Sequence, residues 1–94
     1  MDPQECDAAM LLGGIRAELR KWKEGAEAFI AAQRCSERDI ELRTALIEKL
    51  KVQGYPPDVL ARHTASQVRA LEKSQKRRIE AERNAAELIK RAAR

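Results

Sequence analysis

Two cysteines, Cys6 and Cys35, and one histidine, His63, are the side chains here best suited to nucleophilic or metal chemistry. Their spacing supports neither. A zinc site takes about four ligands, and no carboxylate cluster stands near His63 at ligand spacing. A Cys–His nucleophile pair needs an orienting third group and donors for an oxyanion, and the sequence supplies no candidate for either. No Gly-rich phosphate loop, HExxH or GxSxG occurs. The sequence therefore predicts no enzyme, no metal and no cofactor.

The N-terminal stretch MDPQECDAAM is acidic and has no basic region leading into an apolar one, so it does not read as a signal peptide. No apolar run is long enough to span a bilayer. Both absences lead us to expect a cytoplasmic protein without membrane association, in which Cys6 and Cys35 are reduced thiols. If the segment between them is one straight helix, they lie at its opposite ends. A disulfide needs Cα atoms within roughly 7 Å, so a bond within the chain is not expected. Antiparallel pairing of two such helices would instead bring Cys6 near Cys35 of a second copy.

The other chemical feature is basic. Residues 1–64 hold ten Lys/Arg against eleven Asp/Glu, whereas residues 65–94 hold nine against four. A net +5 in the last third hints at an acidic partner. Lys73, Lys76, Arg77 and Arg78 form the densest cluster and could neutralise phosphates. Val59–Arg78 also has some marks of a helix-turn-helix, with Ala61 as the small residue and Leu71 as a later apolar anchor. In that reading Gln67, Arg69, Lys73, Lys76, Arg77, Arg78 and Arg83 would meet a duplex. Two features of the pattern are missing, however. Ala65 stands where the turn glycine belongs, and Ser66 replaces the apolar residue after it. Glu72, Glu80 and Glu82 dilute the charge, and no nearby aromatic could stack on a base. One continuous helix with Leu60, Val68, Leu71 and Ile79 turned inward is the favoured reading; a break at 64–66 is the alternative.

These residues must be carried on helices. Charged residues make up 36% of the chain and there are only four Gly and three Pro, a long-helix composition. Ala8, Leu12, Ile15, Leu19, Trp22, Ala26 and Phe29 recur at alternating steps of four and three, a heptad seam. It predicts a first helix over about 7–34, roughly 40 Å long. Gly13, Gly14 and Gly25 weaken it, or admit another backbone closely. Ser36 and Asp39 resemble a capping box opening a second helix over about 37–53. Ile40, Ile47 and Leu50 line one side of it, and Gly54 follows as a C-terminal cap. The Tyr55-Pro56-Pro57 turn then starts a third helix over about 58–93.

The expected fold is all-α: a single domain over 1–94, built as a three-helix, antiparallel, coiled-coil-like bundle with long first and third helices. The seam is too long for the second helix alone to cover. We therefore expect Leu12, Ile15, Leu19, Trp22 and Phe29 to form a protein interface, with a protein partner or with self as a homo-oligomer. The leading expectation is a non-catalytic adaptor or assembly protein acting through helix–helix contact, a build seen among small proteins of phages and mobile elements. A DNA-binding protein using the basic helix is the runner-up.

Overall fold

A computed structural model describes residues 3–94. Three helices follow one another: α1 (Pro3–Glu18), α2 (Trp22–Val52) and α3 (Pro57–Ala92), and no strand occurs among the described residues. The architecture is the expected all-α bundle. α2 and α3 form a long antiparallel hairpin, and α1 folds back along the first half of α2. The result is a rod measuring 57 × 17 × 16 Å.

The first reversal comes earlier than the seam predicts. The segment 7–34 is not one helix; it turns at Leu19–Lys21. The hydrogen bonds there explain how. Arg20 adopts φ 57°. Its N–H donates to the Ala17 carbonyl at 3.0 Å, and the Lys21 N–H donates to the Arg16 carbonyl at 2.9 Å. These are the two bonds of a Schellman cap, with Arg20 in the left-handed position usually given to glycine. The Arg16 guanidinium also crosses the turn to the Glu24 carbonyl at 3.1 Å.

Ser36 consequently caps nothing. It lies fully buried inside α2, and its hydroxyl donates back to the Ala32 carbonyl at 2.8 Å. α2 runs on through this point because Ser36 and Asp39 find partners on α3 that replace the orphaned amides of a helix start.

The second reversal matches its sequence signals. Gly54 has φ 72° after the end of α2, and Pro57 opens α3. α3 then continues without interruption through 64–66.

The core sits at the thick end of the rod. Ala26 and Phe29 of α2 pack with Ala85 and Leu88 of α3, flanked by Met10, Ala17, Trp22 and Ile30. Small residues let α1 approach closely. A β-carbon on Gly25 would lie 3.4 Å from the Gly13 carbonyl oxygen and 2.8 Å from a Leu88 methyl.

Candidate interaction surface

α1 is apolar on both sides. Inward it presents Cys6, Met10, Gly13 and Ala17. Outward, at helical spacing, it presents Ala8, Leu11, Leu12, Ile15 and Leu19, which fall within a single arc of about 100°. The four large side chains on this outer face are 66%, 42%, 46% and 62% exposed. A helix with two opposite apolar faces is expected to have both covered, yet this one packs against its own chain on the inner face and leaves the outer face exposed.

The expected interface set is thus divided by the turn at Arg20. Leu12, Ile15 and Leu19 face solvent. Phe29 is buried against α3 and Gly13. Trp22 is half-buried, with the Arg91 guanidinium carbon 5.2 Å from its ring centroid, a cation–π contact. The seam is continuous in sequence, but the reversal sends its first part outward and its second part into the core. Leu11, which the four-three spacing passes over, is the most exposed large side chain of the stripe.

α1 is also fastened to α2 covalently. Cys6 and Cys35 are joined by a disulfide with Cα atoms 5.5 Å apart. The expectation of two reduced thiols is corrected here, and its premise failed at Arg20: a reversed chain brings the ends of the old seam together. The cross-copy pairing of Cys6 with Cys35 is replaced by this bond within the chain.

A buried polar cluster adjoins the disulfide. The Ser74 hydroxyl donates to Asp39 Oδ2. Arg77 Nε donates to Ser36 Oγ at 2.8 Å, and its Nη2 to Ser74 Oγ at 2.9 Å. Its Nη1 reaches Asp7 Oδ1 on α1 at 3.2 Å. Asp39 continues the chain to Arg43, 3.5 Å away, and Arg43 donates to Gln67 Oε1 at 2.9 Å. Asp39 and Arg77 are only 2% and 7% exposed. The cluster ties all three helices at one level and fixes the register of α2 against α3.

This cluster sorts the basic residues of α3. Arg77 is committed to the interior, Gln67 accepts from Arg43, and Arg78 pairs with Glu82 at 3.7 Å. Arg69, Lys73, Lys76 and Arg83 remain exposed on one side, with Glu80 among them. The helix-turn-helix reading has no turn to rest on, because α3 is continuous.

His63 is exposed on α3 and far along the helix from the disulfide level. Among the described residues no group of His, Cys, Asp or Glu is placed to hold a metal ion, and no helix is long and apolar enough to cross a membrane. A depression of about 340 Å³ between α1 and α3 is lined by Asp7, Met10, Lys73, Lys76, Arg77 and Glu80. Its charges are mixed, and Asp7 and Arg77 already satisfy each other.

No family model, no curated protein and no solved structure matches this chain.

Proposed function

We propose that this chain is a non-catalytic adaptor or assembly protein that works by helix–helix contact through the outer face of α1. One observation carries the reading. A helix fastened by a disulfide still leaves Leu11 and Leu19 largely in water and Leu12 and Ile15 more than two-fifths exposed. Full burial of such a side chain is worth roughly 1.5–3 kcal/mol, so a covering helix would gain substantially from this stripe. The fixed backbone of α1 lowers the ordering cost of binding. Phe29 contributes indirectly, as part of the floor on which α1 lies, and Trp22 by packing against the same core.

The DNA reading is less favoured. The unbroken α3 and the burial of Arg77 weigh against it, leaving four exposed cations of the expected contact set, diluted by glutamates. The disulfide also favours an oxidising compartment over the cytoplasm expected from the sequence.

The test is Leu12→Glu combined with Leu19→Glu, both at exposed positions. Circular dichroism should be unchanged. Cross-linking in nuclease-treated native lysate, read by mass spectrometry, should lose the protein complexes formed by the wild type. A folded double variant that keeps the same complexes would refute the reading.

A further inference from the structure

The outer face of α1 is self-complementary, and the geometry points to a second copy of this chain as its occupant, paired antiparallel through α1 about a two-fold axis that crosses the outer face at the level of residue 13. This inference rests on the reading of α1 as a contact surface and adds the partner and the register.

Three features support it. The first is shape. Ala8, Leu11, Leu12, Ile15 and Leu19 are spaced so that antiparallel pairing sets Leu11 against Ile15 of the second copy. It also sets small Ala8 near large Leu19, with Leu12 close to its own equivalent. Such an interface is isologous and closes on itself, which is the commonest way for a soluble protein to pair.

The second feature is charge. Glu5 and Asp7 lie at the start of α1, while Arg16, Arg20 and Lys21 lie at its end, with Glu18 as the one carboxylate there. Antiparallel pairing places Glu5 beside the basic end of the second copy, along the same flank as Arg16. Parallel pairing would instead bring the two acidic starts together, Glu5 of one copy on the Asp7 flank of the other. Asp7, on the other flank, is already held by Arg77. The helix dipoles also oppose favourably in the antiparallel arrangement.

The third feature is area. At their observed exposures, complete cover of the four large side chains would remove up to roughly 400 Å² of apolar surface per copy. With flanking polar atoms, the pair reaches about 1,000 Å², the lower bound for a specific interface. The pairing should therefore be reversible and dependent on concentration.

The experiment is sedimentation equilibrium of the purified, oxidised full chain between about 5 and about 500 µM. A monomer–dimer equilibrium is expected. Leu12→Glu should raise its dissociation constant at least about tenfold. Glu5→Lys and Lys21→Glu should each weaken it at low salt, and the two together should restore it toward the wild type. A monomer throughout, a dimer indifferent to Leu12→Glu, or charge variants without restoration would each overturn the self-pairing. If the purified chain stays monomeric while Leu12→Glu with Leu19→Glu still abolishes complexes in lysate, the occupant is a different protein and only the self-pairing fails. If neither measurement responds, the contact-surface reading fails with it.

Discussion

The ring of Phe29 lies so close over Gly13 that a β-carbon at Gly13 would sit 2.9 Å from three ring atoms. The neighbouring Gly14 has open space where its β-carbon would go. Both are interior helix positions, where Ala is ordinarily better by about 1 kcal/mol. The two substitutions should therefore differ in sign. Gly14→Ala should stabilise by up to about 1 kcal/mol. Gly13→Ala should destabilise by about 1–2 kcal/mol, because the buried ring has to shift. Urea unfolding of both variants decides it, and equal midpoints would contradict the packing described.

The disulfide closes a loop with a sequence separation of 29 residues. In the chain-entropy account a loop of this length stabilises by roughly 3–4 kcal/mol. Reduction, verified by mass, should lower the melting temperature by about 10 °C or more. Cys6→Ala with Cys35→Ala should behave like the reduced wild type. A melting temperature unmoved by complete reduction would mean that the clip adds nothing to the fold.

Arg20 carries a side chain in the left-handed region, and Gly would adopt φ 57° without that strain. Arg20→Gly should stabilise by about 0.5–1 kcal/mol, raising the melting temperature by a few degrees. Arg20→Val should lower stability, since β-branching makes this conformation costlier. If the order is reversed, the Schellman turn is not the native one.

Lys76 and Arg77 are adjacent in sequence but have opposite environments. Lys76→Ala should change stability by no more than about 0.5 kcal/mol. Arg77→Ala removes the donor shared by Ser36, Ser74 and Asp7, and should cost about 3 kcal/mol. Because Arg77 is buried, that loss should hardly respond to salt. Equal effects of the two substitutions would return Arg77 to the surface.

How much of this was legible in the sequence follows from which signals were local. Helix content, the GYPP reversal and the continuity of α3 were readable, because proline, glycine and periodicity act within a few residues. The reversal at Leu19–Lys21 was not. Its left-handed residue is Arg20, so the usual glycine signal is missing, and the four-three spacing runs across the turn undisturbed. That one miss propagated. It separated Cys6 from Cys35 in the expected fold, made Ser36 and Asp39 look like a cap, and put Leu12 and Phe29 on the same surface. Arg77 was misplaced for a different reason. Its partners Ser36, Ser74 and Asp7 come from three helices, and only tertiary packing brings them together. The spacing of Cys6 and Cys35 was the available clue, since an intrachain bond would have required a reversal between them.

The bond between Cys6 and Cys35 also sets the path of mechanical load through the molecule. Tension applied at the N-terminal end enters α1 at Cys6 and passes directly into α2 at Cys35. The residues between are bypassed, including Arg20 and Phe29. A stretch that could extend by roughly 100 Å is thereby hidden from the pull. Stretched while oxidised, the chain would yield only the length beyond Cys35; once reduced, it would release the remainder.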